Sequence, residues 1–220
     1  LAYVVLTGGF GLLFYPVLWS NPLPGLKEAL QAVTNFPHYT PVLFMGQFIS
    51  PQEFPCFYLP VWIGITTPLA YLVLFLLGSG VVIWGLLRHI TSFLDPLSRE
   101  RLLALAWFFG PMTAVLVLHP TLYDGWRQMF FLYPGLVLLA LEGCAWLFGR
   151  LSGASARIRS GAVMAGVLLL FVPVIYQMVI IHPYQNVYFN RLAGKDMQTI
   201  KQNYDLDYWG LSYREGLAYI

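Results

Sequence analysis

Residues 60–87 read PVWIGITTPLAYLVLFLLGSGVVIWGLL, a run without a single charged side chain. A bilayer's hydrocarbon core, about 30 Å thick, takes roughly 20 apolar residues of helix, so this stretch is long enough to cross it. Gly78, Gly80 and Gly85 within it permit tilt or the close approach of a neighbouring helix. Four further segments qualify or come close: about 1–19, 102–118, 128–148 and 160–181. The whole chain agrees, since 58% of its 220 residues are hydrophobic and only 10% are charged, against roughly 25% charged in soluble domains. The expected fold class is an all-α integral membrane protein with about five transmembrane helices. Residues 1–181 are read as the transmembrane domain, including a loop at 20–59, and 182–220 as the start of a further segment.

Arginines set the orientation. The short loop 88–101 holds Arg88, Arg99 and Arg101, and the short loop 149–159 holds Arg150, Arg157 and Arg159, which marks both as cytoplasmic. Alternation then puts 20–59, 119–127 and 182–220 on the outer face. Glu28, Glu53, Asp124, Asp196, Asp205, Asp207 and Glu215 fall outside, against Asp95 and Glu100 inside. A net charge of +2, with basic residues distributed by topology, argues against a nucleic-acid partner. Cys56 and Cys144 form no framework, and CxxC, HExxH, GxGxxG and P-loop patterns are absent from the sequence. The chain opens on Leu1 within an apolar run and ends at SYREGLAYI, a helix start with Ser212 as its cap; it is expected to be part of a longer protein.

Among the outer segments, SNPLPGLKEALQAVTNFPHY (20–39) sets Leu23, Leu26, Leu30 and Val33 opposite Lys27, Glu28 and Gln31, the pattern of a short helix lying on the membrane. The Pro- and Gly-rich stretch 40–60 reads as an irregular loop, with Phe57, Tyr58 and Trp62 as an interfacial belt. HPTLYDGWRQ (119–128) gathers His119, Tyr123, Asp124, Trp126 and Arg127 into ten positions between two spans. Asp124 is placed to cap the next helix, with Gly125 as its first residue. Arg127 is then anomalous, because a cation in a helix's first turn opposes the macrodipole. Its anion is either Asp124, three residues earlier, or an external group such as a lipid phosphate, for which the guanidinium fork is suited. IIHPYQNVYFNRLAG (180–194) repeats the His-Pro pair as His182–Pro183, followed by Tyr184, Tyr188 and Phe189, an aromatic belt on the simplest reading. A histidine at either site has the titration range to serve a phosphate. Glu142, the one acid within a span, is assigned to packing beside Gly143 or to snorkelling toward the inner surface.

Taken together, LYDGWRQMFFLYP, FYPVLWSNPLPGLKEAL, VLFMGQFISPQEFPCFYLPVWIGITTPL, HPYQNVYFN and YDLDYWGLSYREGL, spread over about 10–220, resemble the C-terminal half of bacterial membrane glycosyltransferases of family 39, which are protein O-mannosyltransferase-like members of the GT-C superfamily. The resemblance implies a GT-C type fold in the bacterial inner membrane. The implied enzyme moves a sugar from a polyprenyl-phosphate carrier to a protein, glycan or lipid acceptor on the periplasmic or extracellular face. It implies an inverting displacement in which a carboxylate takes the acceptor's proton while the lipid phosphate leaves, stabilised by cations or by a divalent metal ion. Arg127 is then the phosphate's stabiliser, Asp124 orients it, and His119, Tyr123 and His182 are further candidates for the same phosphate. The catalytic base of this family lies in a first outer loop that precedes this chain, so the chain alone is expected to be inactive. Gln128 stands where some relatives carry His, and no role carries over to it. Two competing readings are a non-catalytic polyprenyl-phosphate flippase or scaffold, with the same basic site, and a secondary transporter, which would show paired interrupted helices and midplane charges.

Overall fold

The structure, a computed structural model, describes residues 2–34, 39–88, 95–150, 153, 155–207 and 209–218. It divides into two compact units, 1–40 and 41–220. Residues 182–207, which the sequence reads as the start of a further segment, are hydrogen-bonded within the second unit.

The first unit holds α1 (Ala2–Phe14), α2 (Val17–Ser20) and α3 (Pro22–Thr34). The span expected over 1–19 is broken. Pro16 has no N–H to give the Leu12 carbonyl, which is taken instead by the Trp19 indole N–H at 2.8 Å. The thirteen residues of α1 fall short of the length a span needs. The helix expected from 20–39 is present as α3, with Pro22 as its first residue and Leu23 and Leu26 exposed along one side.

The second unit opens with a hairpin, β1 (Val42–Phe44) and β2 (Gln47–Ile49), where an irregular loop was expected. Met45 and Gly46 turn the chain with φ of 51° and 78°, a turn whose twist matches a hairpin. Then follow α4 (Tyr58–Thr66), α5 (Leu69–Arg88), α6 (Pro96–Leu118), α7 (Tyr133–Gly149, entered through a 3-10 turn at Arg127–Leu132), α8 (Ala156–Ile180), α9 (Met197–Asn203) and α10 (Tyr213–Leu217). Four stretches are long and apolar enough to cross a membrane: Leu69–Arg88, Pro96–Leu118, Arg127–Gly149 and Ala156–Ile180. The protein is thus an α-helical membrane protein, with four qualifying helices among the described residues where five were expected. The predicted inner loops fall partly on 89–94, 151, 152 and 154, outside the described residues.

The stretch 60–87 is two helices, not one. Pro68 cannot donate to α4, and it forces Thr67 into extended backbone at φ −101°, ψ 138°. The carbonyls freed at this break are taken by a single residue from far along the chain. Asn190 is buried; its amide nitrogen donates to Gly64 O and Thr67 O, both at 2.6 Å, and its backbone N–H to Ile65 O at 2.8 Å. The segment 182–207 is pinned to the top of the bundle in this way. Leu122 N–H to Pro51 O (2.9 Å) and the Trp126 indole to the Thr66 hydroxyl (2.8 Å) tie the 119–127 loop to the same end. The three segments read as outer in unit two therefore share one end of the bundle.

Around that end Phe44, Tyr58, Trp62, Phe189 and Tyr204 pack ring against ring, with centroids 4.9–6.5 Å apart. The interfacial belt expected from Tyr58 and Trp62 is thereby corrected: both are almost fully buried, and only Phe57 is exposed. In the spans, α5 and α7 touch backbone to backbone. A Cβ at Gly78 would overlap the Leu139 carbonyl, and one at Gly143 would overlap the Leu74 carbonyl, whereas Gly80 and Gly85 face open space. Glu142 has a partner that the sequence did not reveal, Arg101 of α6 at 2.9 Å. None of the described side chains of α8 is fully buried, so it stands loosely beside α5 and α7.

Candidate functional site

The chain leaves α6 at His119 and re-enters a helix at Arg127. Asp124 (φ 54°) and Gly125 (φ 73°) are both left-handed, which no helix accommodates, so the cap expected at Asp124 with Gly125 as first helical residue is corrected. The helix starts as a 3-10 turn at Arg127, preceded by Trp126, which makes no side-chain cap bond. A Cβ at Gly125 would meet the Trp62 ring at 3.4 Å, an ordinary contact, so the left-handed φ rather than space calls for glycine there. The Asp124 carboxylate, freed from capping, meets Arg127 Nη2 at 2.9 Å. The cation in the first turn thus has its anion in the same chain.

Among the described residues, two rings flank the guanidinium. Arg127 Cζ lies 4.9 Å from the Tyr123 ring centroid and 5.1 Å from that of Trp209. Trp209 is carried by a turn that Asp207 organises: its carboxylate accepts from the Ser212 hydroxyl (2.7 Å), Ser212 N–H (2.8 Å), Leu211 N–H (3.1 Å) and the Asn186 amide (3.2 Å). Those bonds, the Ser212 hydroxyl first, hold the Asp207 carboxyl below the usual carboxylate range. Ser212 precedes α10 as expected, and its hydroxyl is engaged by Asp207.

Asp124 and Arg127 form one wall of a cavity of about 850 Å³. Its upper part adds Thr66, Asn186, Asp205 and Trp209, and its lower part is built by Tyr71 of α5, Val137 of α7 and Phe171, Val174 and Met178 of α8. A polar chamber with a cation therefore continues into an apolar slot between three spans. Tyr188 and Phe189, expected in a belt, line it as well. Asp205 is the residue the sequence reading passed over. Its carboxylate accepts from Leu43 N–H at 2.9 Å, and burial, reinforced by the nearby Asp124 charge, pushes its pKa upward against that bond.

The other candidates lie elsewhere. Tyr123 is not part of the cavity lining, and its ring lies against Arg127. His119 ends α6 in left-handed backbone (φ 45°), stacks 6.1 Å from Phe54, and lines a separate groove. His182 is exposed, with a ring nitrogen 2.9 Å from the Gln185 amide, and does not line the cavity. Gln128 also stays out of the lining; both of its amide atoms are buried without a partner among the described residues. Among the described residues no group of three or more His, Cys, Asp or Glu is arranged to hold a metal.

The raised Asp205 makes a prediction. Because burial raises its pKa, stability from this group is present at low pH and lost as pH rises from the ordinary aspartate value through the raised one. An anion beside Arg127 should follow the same course: thermal stabilisation of the protein in nanodiscs by added sulfate should weaken as pH rises through that window, and Asp205→Asn should flatten the profile. A wild-type profile that survives in the Asn variant assigns the titration to another group.

Comparison with protein-family models, with curated proteins and with solved structures found no match to the chain.

Proposed function

We propose that this chain forms the donor side of a membrane glycosyltransferase, resembling those of family 39, that takes a sugar from a polyprenyl-phosphate carrier on the outer face of the membrane. One observation carries the reading: a single cavity joins the Arg127–Asp124 pair to an apolar slot walled by α5, α7 and α8. A prenyl chain fits the slot, and its phosphate reaches the guanidinium at the slot's polar end. Asp124 holds the fork in place until the phosphate competes for it. The aromatic pair Tyr123 and Trp209 restricts the guanidinium to a plane, which conserves the entropy of binding. In the reaction, Arg127 stabilises the phosphate as it leaves, and the base that deprotonates the acceptor belongs to a loop outside these residues.

The test is photolabelling in nanodiscs with a diazirine-bearing polyprenyl phosphate. Label is expected on Phe171 and Met178 of α8, displaced by unlabelled polyprenyl phosphate and far less by the neutral polyprenol. Equal displacement by the alcohol would show that the slot takes any isoprenoid and that Arg127 reads no phosphate.

A further inference from the structure

The hairpin has two edges, and only one is used. On the β1 side, Leu43 N–H donates to the Asp205 carboxylate at 2.9 Å, Leu43 C=O accepts from Asp205 N–H at 3.4 Å, and Phe44 forms a β-bridge with Tyr204. Leu43 therefore directs its backbone groups out of the ribbon. Its cross-strand partner is Phe48, and in antiparallel pairing the two members of such a pair both point outward, on opposite edges. Among the described residues none bonds the outward N–H or C=O of Phe48. The Phe48 side chain is 75% exposed. Gln47 and Ile49, the residues on either side of Phe48 in β2, line a groove of about 790 Å³ together with Glu53, Phe57 and His119.

We propose that this groove binds an extended polypeptide segment by adding it as a strand to the open edge of β2, with the N–H and C=O of Phe48 as the pairing groups. The ribbon already receives an extended segment in this manner on its other edge, from residues 203–205 of its own chain. An extended peptide presents N–H and C=O at strand spacing, as the edge requires, whereas the hydroxyls of a glycan do not repeat at that rise. Glu53 supplies the groove's negative charge and favours a segment with a basic residue. The groove also adjoins the donor cavity. Phe44 lines the groove, Trp62 lines the cavity, and their ring centroids are 6.5 Å apart. Naming the polypeptide as the acceptor rests on the transferase reading above; its binding does not.

The experiment measures binding to the chain in nanodiscs of a capped peptide of about eight residues, alternating Thr and Val with one central Lys. Binding is expected, and it should fall about tenfold or more in Phe48→Pro, which removes the outward N–H and leaves the ribbon's own Val42–Ile49 and Phe44–Gln47 pairs intact. Phe48→Ala, which keeps the backbone pair, should lose less. The same peptide N-methylated at alternate amides should bind the unaltered chain about tenfold more weakly, so the result does not depend on a variant folding. Unchanged binding after either block, no peptide binding at all, or binding of a neutral pentasaccharide in its place overturns the proposal. Peptide binding with no effect of polyprenyl phosphate in the labelling experiment overturns only the transferase reading.

Discussion

On the transferase reading proposed above, Arg127→Ala should reduce affinity for polyprenyl phosphate by about 100-fold, and sugar transfer in the native membrane by at least as much. Two losses add in the same direction. A charge-assisted bond to the phosphate is worth about 1.5–3 kcal/mol. In addition, the truncation leaves the Asp124 carboxylate without its partner beside the place the anion must occupy. The Arg127 and Asp124 side chains are only 25% and 27% exposed, so water screens this repulsion incompletely. Removing one partner of such a pair costs about 2–5 kcal/mol, which makes 100-fold a conservative figure. Arg127→Lys keeps the charge and loses the planar fork that lies against Tyr123 and Trp209, so it should recover part of the affinity, to within about tenfold of the original. Asp124→Asn is the informative companion. It leaves the cation and removes its internal competitor, so lipid binding should hold or rise while transfer falls, through loss of aim. Equal affinity in Arg127→Ala and the unaltered chain would remove the phosphate from this site.

The parts of this architecture legible in the sequence are those set by local composition. The apolar runs at 102–118, 128–148 and 160–181 are helices over Pro96–Leu118, Arg127–Gly149 and Ala156–Ile180, because in hydrocarbon a helix alone satisfies its own backbone. Arg127 stood out because its charge opposed its position, and it does pair with Asp124, though through the left-handed turn at 124–125 rather than along a helix face. What could not be read depends on partners distant in sequence. Residues 60–87 look continuous, and Pro68 is common enough in spans to pass as a kink; the break is stable because Asn190, more than a hundred residues later, takes the carbonyls it frees. Tyr58 and Trp62 carry the composition of an interfacial belt, but the hairpin folds over them, and three-residue strands give no periodicity to detect. Asp205 was one acid among seven outside until Leu43 and Asp124 placed it in the cavity. His119 and His182 share a motif with Arg127's surroundings, yet the left-handed turn at 124–125 and the 182–190 loop carry them away from the cavity.

The largest effect on stability is expected where α5 and α7 meet. Gly78→Val and Gly143→Val should each prevent accumulation of folded protein, whereas Gly80→Ala, two residues from Gly78 and facing open space, should be close to neutral. At Gly78 even a single methyl overlaps the Leu139 carbonyl, and at Gly143 it overlaps that of Leu74; both obstacles are backbone, which no rotamer change can relieve. Lipid tails are as apolar as the side chains, so close packing itself is what holds these two helices together, and separating them forfeits it along the whole contact. The penalty should exceed about 4 kcal/mol, beyond the range of ordinary substitutions. The consequence reaches the candidate site, because Tyr71 and Val137, on either side of this contact, are walls of the same slot. Thermal unfolding in detergent of Gly78→Ala, the mildest member of the series, provides the check. It should melt well below the unaltered chain and lose lipid labelling on α8, while Gly80→Ala retains both. A Gly78→Ala protein as stable as the original would mean that the helices can separate without cost, and that the slot does not depend on their contact.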